Sequence, residues 1–268
     1  MHNKITTNTN LIVFNREKHM KTMLELIPIY TSHGLDTFDL NFCEMMNPIS
    51  ALNDEVESKG YINTLNEYKS RYGLTYFQCH LPYPMRGEDS HNTEKQKRAL
   101  SYCGKLGIPV AVIHPIIGSI EDNVRYFESL KPYIPKGVTL AIENMETKEE
   151  ISTSKELLDI LNNLSYKAGI CLDTGHLNIM RGDAPAFIKD TGENLIATHI
   201  NDNDGNKDQH LLPGFGTIKW EEVIPAFKRY YNGYLNYEAM FFSRGCSEML
   251  EGRTIELAKA IGNWLLDL

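Results

Sequence analysis

Short apolar runs alternate along this chain with longer stretches in which apolar residues recur every three or four positions. Read by that periodicity, the short runs are buried strands at residues 5–13, 36–42, 75–80, 110–114, 138–143, 168–173, 195–199 and 234–240. The longer stretches predict helices at 17–32, 92–106, 119–133, 154–164, 220–231 and 247–266. In the first of these, Met20, Met23, Leu24 and Ile27 follow the i, i+3, i+4, i+7 rule of a one-sided helix. Pro28 is expected to kink or end it, and Gly34 offers a left-handed stop. Gly107, the Pro135/Gly137 pair and Gly233 punctuate the later helices, and Ser154 with Glu156 close behind marks a helix start. Eight strands interleaved with helices, with no composition break to mark a linker, predict one (β/α)8 TIM barrel filling residues 1–268.

Composition and charge narrow the function classes. At 268 residues the chain matches the ~250 of a typical α/β barrel. Its 42% hydrophobic content is enough for a sizeable core. A net charge of −8 removes any bulk electrostatic case for nucleic acid or an anionic membrane as partner. No apolar run approaches the ~18 residues of a membrane span, and the N-terminus is polar. Five cysteines without a CxxC pair read as free thiols in a reducing compartment. The expectation is a soluble, unprocessed, cytoplasmic protein; a homo-oligomer is left open.

The apolar runs YFQCH, VAVIH, LAIE, GICLD, IATH and LNYE each close on a histidine or a carboxylate. Together with loop residues, His80, His114, Glu143, Asp173, His176, His199, Asp208, His210 and Glu238 form a set of nine side chains suited to metal binding. The steps 80 to 114, 143, 173, 199 and 238 are 34, 29, 30, 26 and 39 residues. A βα unit occupies roughly 30 residues, so these groups converge at the C-terminal ends of the strands, where barrel active sites sit. One such residue alone is more often a hydrogen-bonded rim group than a ligand, but six successive strand ends agree. Buried, unpaired carboxylates such as Glu143 and Asp173 would cost several kcal/mol, and a divalent cation is the economical partner. Mixed histidine and carboxylate donors without thiolate suit Zn²⁺, Mn²⁺, Co²⁺ or Fe²⁺ in a catalytic site. Asp208 and His210, two apart in the loop 201–217, are expected to project to one side from extended backbone. His2, His19, His33 and His91 stand in polar or helical contexts and receive no role. Arg86, Arg181 and Arg244 follow strand ends; they could meet an anionic substrate, though solvated loop arginines are the commoner case.

At the segments IEN, LDTGH and HINDNDG…DQH…PGFGTIKW the whole chain resembles the xylose isomerase-like barrels. These comprise sugar and sugar-phosphate isomerases and epimerases, with the endonuclease IV abasic-site nucleases as a second branch. In the epimerase branch, the resemblance implies one catalytic ion on Glu143, Asp173, His199 and Glu238, with Glu143 and Glu238 as the acid/base pair. In the nuclease branch it implies three zinc ions: one on His80, His114 and Glu143, one on the four groups just named, and one on His176, Asp208 and His210. Departures favour the isomerase side: Gly175 stands where the nucleases have cysteine, Asn203-Asp204 where they have serine-lysine, and HLPYPMRGEDS follows the strand-3 histidine. The free-ketohexose epimerases often carry an arginine shortly after the strand-7 histidine, and this chain has Gly205 nearby. The implied reaction is proton abstraction next to a carbonyl, through an enediolate, on a sugar or sugar phosphate. Isomerisation, epimerisation and dehydration stay open, as does the abasic-site nuclease alternative.

Overall fold

The computed structural model describes residues 4–14, 20–84, 90–240 and 242–268. Eight strands run parallel: β1 (Lys4–Asn8), β2 (Thr37–Asn41), β3 (Thr75–His80), β4 (Val110–Ile113), β5 (Thr139–Glu143), β6 (Gly169–Asp173), β7 (Leu195–His199) and β8 (Tyr234–Tyr237). Their hydrogen-bonded order is β7-β6-β5-β4-β3-β2-β1-β8. A parallel bridge between Ile200, just past β7, and Tyr237 of β8 completes the ring. The intervening helices are α1 (Met23–Ser32), α2 (Glu57–Tyr72), α3 (Ser90–Leu106), α4 (Ile120–Leu130), α5 (Ser154–Asn163), α6 (Thr174–Ile179), α7 (Ala184–Thr191), α8 (Trp220–Tyr230) and α9 (Glu251–Asp267). This is the (β/α)8 barrel the strand and helix alternation implies.

Successive strand residues face opposite sides of the sheet, and that period sorts the core into two parts. Outward-facing residues such as Leu140, Ile142, Ile170 and Leu172 pack under the helices in one continuous apolar layer. Inward, small residues fill the barrel beneath β4 to β7: Val112, Ala141, Cys171 and Ala197. Adding two to each of these numbers gives His114, Glu143, Asp173 and His199. Strand alternation alone therefore places those four side chains on the inner face, one layer above the apolar floor. Below β8, β1, β2 and β3 the interior is polar instead, with Asn8, Asp39, Gln78 and Asn236 all fully buried.

Several elements differ from the sequence expectation. Strand 1 ends at Asn8 rather than running to residue 13, because Asn10 to Val13 turn back under a Val13 N to Asn10 carbonyl bond of 3.1 Å. The first helix begins at Met23, where Thr22 and Glu25 form a capping box; its expected start at 17 lies outside the described residues. It runs through Pro28. Proline cannot donate back to Leu24, and the Tyr68 hydroxyl takes that carbonyl at 3.3 Å. Helices α2, α6 and α7 were not expected. α2 buries only Ser58, Tyr61, Ile62 and Leu65, too thin an apolar stripe for periodicity to reveal. The five cysteines are free, with Cys79, Cys103 and Cys171 buried. No helix among the described residues is long and apolar enough to cross a membrane.

Candidate metal centre

Each strand-end group is oriented by a specific local device. Asp173 closes β6 and also caps α6, accepting the His176 amide at 2.7 Å. Its other carboxylate oxygen accepts Asn201 Nδ2 at 2.7 Å, and Asn144 exchanges side-chain bonds with the Asp173 backbone at 2.8 and 3.0 Å. A Cβ at Gly175 would run into Asn201 Oδ1, so the glycine of LDTGH is required for Asn201 to reach Asp173. Four of the five site histidines follow a common rule: one ring nitrogen is tied to an acceptor and the other faces the cluster. A carbonyl can only accept, so Nδ1 carries the proton in His80 (to Leu81, 2.8 Å), His176 (to Asn144, 2.8 Å) and His210 (to Glu238, 2.8 Å). His199 is reversed: its Nε2 meets Asp39 Oδ2 at 3.3 Å and its Nδ1 faces inward. Such outer hydrogen bonds are the usual means of fixing a metal-binding imidazole.

One ligand atom from each of Glu143, Asp173, His199 and Glu238 lies within 4.8 Å of the others, and all four residues are buried. His199 Nδ1 stands 2.7 Å from Glu143 Oε1 and 3.0 Å from Glu238 Oε2. A second group at the same spacing is His80, His114 and Glu143. Within it, the two imidazole Nε2 atoms are 3.1 Å apart, and Glu143 Oε2 is 3.5 and 3.2 Å from them. Glu143 is thus common to both groups. The remaining three expected residues form a looser corner. His210 Nε2 is 2.6 Å from Asp208 Oδ2, His176 Nε2 is 3.9 Å from the same oxygen, and the two rings are 6.4 Å apart. Extended backbone does not bring Asp208 and His210 together as expected; His210 adopts φ 45°, a left-handed conformation uncommon for a residue other than glycine.

The loop that carries Asp208 and His210 is organised by a buried carboxylate that had no expected role. Asp202 accepts Gly214 N at 2.9 Å, Ile218 N at 3.1 Å and Trp220 Nε1 at 2.9 Å, and its backbone pairs with Leu211. A Cβ at Gly216 would collide with Asp202 Oδ1 and the Asn203 backbone, which explains the glycine-rich PGFG turn. Asp39 is the other unforeseen residue. Fully buried on β2, its Oδ2 accepts Gln78 Nε2 at 2.9 Å and Asn236 Nδ2 at 2.8 Å besides facing His199. The available signal was a lone acid between Phe38 and Leu40, at the inward phase of a strand.

Electrostatics show what the cluster is short of. Burial raises the Asp173 carboxyl, and the nearby negative charges of Glu143, Glu238 and Asp208 raise it further, to about 7. Burial acts the same way on Glu143 and Glu238, but the imidazolium of His199 overrides it and holds Glu143 well below the usual carboxylate range and Glu238 down to about 2. Burial alone would keep His80, His176 and His199 neutral, but the groups beside them push all three well above the ordinary histidine value: Cys43 and then Glu143 at His80, Asp173 and Asp208 at His176, and Cys171, Glu143 and Glu238 at His199. Cys171 lies within reach of Glu143 and His199, yet burial pushes its thiol up to about 12, so it packs as a neutral group. Glu143 Oε2 and Asp208 Oδ1 are buried without a hydrogen-bond partner. Crowded carboxylates, pre-aimed imidazole lone pairs and unsatisfied inward oxygens fit a divalent cation.

Of the three arginines considered earlier, Arg181 donates to Asn206 Oδ1 at 3.0 Å, Arg244 lies 5.7 Å from the Phe14 ring centre, and Arg86 falls outside the described residues. His33 caps α1 and its Nδ1 bonds to the Ile29 carbonyl at 3.0 Å; His2 and His19 fall outside the described residues.

Known proteins share this architecture. The fold superposes on the IOLI protein crystallised with a zinc atom at TM-score 0.73 and 18% identity, covering 100% of this chain and 98% of the other. It superposes on a D-psicose 3-epimerase crystallised with D-fructose at TM-score 0.73 and 16% identity, covering 99% of both. In sequence, a probable endonuclease 4 from Clostridium beijerinckii is 32% identical over 164 residues, 53% of this chain and 57% of that protein. The pattern of the family described as "Xylose isomerase-like TIM barrel" matches residues 29–244, a span that holds β2 to β8 and all nine cluster residues. The chain belongs to that family.

Proposed function

We propose that the protein is a divalent-metal-dependent isomerase or epimerase of sugars or sugar phosphates, with residues 1–268 acting as one barrel domain. The observation that carries this reading is the buried set Glu143, Asp173, His199 and Glu238, all within 4.8 Å. These four would hold the catalytic ion. When bound, a Zn²⁺, Mn²⁺ or Co²⁺ ion supplies Lewis-acid polarisation of a substrate carbonyl and its neighbouring hydroxyl.

The protein's own groups then have distinct tasks. Glu143 and Glu238 approach His199 Nδ1 from separate strands, at 2.7 and 3.0 Å, and serve as the two proton-transfer groups. One carboxylate takes the proton from the carbon next to the carbonyl, and the other returns a proton to the same carbon or the adjacent one. Asp173 and His199 stay as fixed supports, held by Asn201 and Asp39. His176 orients substrate hydroxyls or holds a further ion with Asp208 and His210. The sugar epimerase among the structural neighbours supports the substrate class.

Incubation with Mn²⁺, keto sugars and sugar phosphates in D₂O tests this directly: deuterium is expected at the carbon next to the carbonyl of a substrate. A second reading, cleavage at abasic DNA by a three-zinc cluster, is favoured by the His80, His114 and Glu143 group and by the endonuclease 4 relative. Counting zinc in the loaded protein and assaying an abasic oligonucleotide separates the two. Nicking with about three ions per chain, and no exchange into any sugar, would replace the isomerase reading.

A further inference from the structure

Six of the nine candidate ligands, His80, His114, His176, Asp208, His210 and Glu238, form the floor of a cavity of about 1150 Å³, above the ~300–1,000 Å³ typical of drug-sized ligands. Its walls differ from its floor. Beyond β8 and β1 the lining is Phe14, Met20, Met23 and Met240, and beyond β3, β4 and β5 it is Tyr83, Ile116, Ile117 and Met145. Three of these face solvent at the mouth: Met20 is 37% exposed, Tyr83 42% and Ile117 48%. The Tyr83 ring stacks at 24° to the His114 imidazole with centres 6.2 Å apart, so an aromatic face continues the ligand floor up the wall. A bare monosaccharide on the floor would fill a fraction of this volume and leave the apolar walls facing water.

Both signs of charge line the cavity. Carboxylates of Glu44, Glu146, Glu150, Asp208 and Glu238 line the cavity. Among the described residues Lys21 is the one lysine or arginine on its lining. Its ammonium is already held by Glu251 at 2.6 Å and Glu248 at 2.9 Å. His80, His176 and His210 also line the cavity, and their surroundings favour the imidazolium form, so the lining carries no fixed excess of negative charge.

Resting on the proposed isomerase or epimerase reading, we infer that the substrate is a carbohydrate carrying an apolar aryl or alkyl substituent. The polar ring lies on the metal floor, and the substituent lies against the methionine-rich wall and Tyr83. Methionine side chains adapt to irregular apolar shapes, so the wall accepts a class of substituents instead of one outline. If the substituent is glycosidic, the anomeric carbon is locked, and the reacting carbonyl is then a ketone of the ring.

Calorimetric titration of the Mn²⁺-loaded protein with phenyl β-D-glucoside, methyl β-D-glucoside and fructose 6-phosphate tests the inference without requiring turnover. The phenyl glycoside is expected to bind roughly tenfold or more tighter than the methyl glycoside, since a buried aromatic ring contributes at least that factor. Fructose 6-phosphate, which has no apolar substituent, should bind more weakly than the phenyl glycoside. In Ile117→Asp, with Mn²⁺ content as the control for an intact fold, the phenyl-to-methyl ratio should fall toward one. Equal affinity for the two glycosides, or preference for the phosphate, overturns the inference even where deuterium exchange supports the isomerase. Phenyl preference without deuterium exchange into a phenyl glycoside oxidised to a ring ketone leaves the apolar subsite standing and removes the proton-abstraction reading.

Discussion

Glu238→Gln preserves the shape and hydrogen-bonding capacity of the side chain while removing its ability to accept a proton. Deuterium exchange into substrate should fall by roughly 10²- to 10⁴-fold, the usual worth of a positioned acid or base, with the fold unchanged by circular dichroism. Asp39→Asn acts one step further out. It keeps the packing at the barrel floor but exchanges the acceptor facing His199 Nε2 for a neutral amide, so Mn²⁺ affinity should weaken about 10- to 100-fold in a direct titration. Unchanged affinity would reduce Asp39 to a packing role. The pH dependence has a definite sign. His80, His176 and His199 are raised well above the ordinary histidine value in the metal-free protein. They are protonated at neutral pH, and a bound ion must displace protons. Metal affinity should therefore rise with pH, and calorimetry in two buffers of different ionisation heat should register proton release. The convergence of the strand-end candidates was legible because each closes an apolar run at the inward phase. Asp39 was not, because its partners Gln78 and Asn236 lie 39 and 197 residues away and only the closed barrel brings them together.

Asp202 links a loop, a turn and a helix start through Gly214, Ile218 and Trp220. Asp202→Ala strands the buried indole N–H of Trp220 and two backbone amides, at about 1–3 kcal/mol for an unsatisfied buried group. The midpoint of thermal unfolding should drop by several degrees. The loop should also release Asp208 and His210, so any ion held there with His176 should be lost while the Glu143, Asp173, His199 and Glu238 group still loads one. Loss of all metal would show that the loop supports the whole centre. At this scale the sequence was legible where an element carries a broad apolar stripe or an explicit cap. The helix from Thr22 and the one from Thr153 have capping boxes; both helices were anticipated, but the first was expected to start at 17 and the second to be capped by Ser154. α2 was not, since its buried face includes Ser58 and Tyr61, which a count of apolar positions passes over or weighs lightly.

For the whole molecule, the ring is complete but unevenly joined. Between β7 and β8 the described connection is the bridge at Ile200, where Ile200 N meets the Asn236 carbonyl at 2.6 Å and Glu238 N meets the Ile200 carbonyl at 3.1 Å. An ion held by Asp173, His199 and Glu238 would span that join. Raising free Mn²⁺ to 100 times its dissociation constant should stabilise the fold by about 2.7 kcal/mol, seen as a logarithmic rise of the calorimetric midpoint with metal concentration. Amide hydrogen exchange at Ile200 and Glu238 should slow most on loading; a uniform slowing across the barrel would place the stabilisation elsewhere. The alternation of strands and helices announced a barrel, but the irregular join between β7 and β8 was not legible, because bonds of the Thr198 hydroxyl to Tyr234 and Asn236 replace part of the ladder and only the closed ring brings those residues together. That position has a consequence for biogenesis. Glu238 follows the last of the eight strands, so the four-residue set does not exist until β8 has joined the ring and the circle is shut. A metal ion held there would act as a latch on a completed barrel, not as a template that guides its assembly.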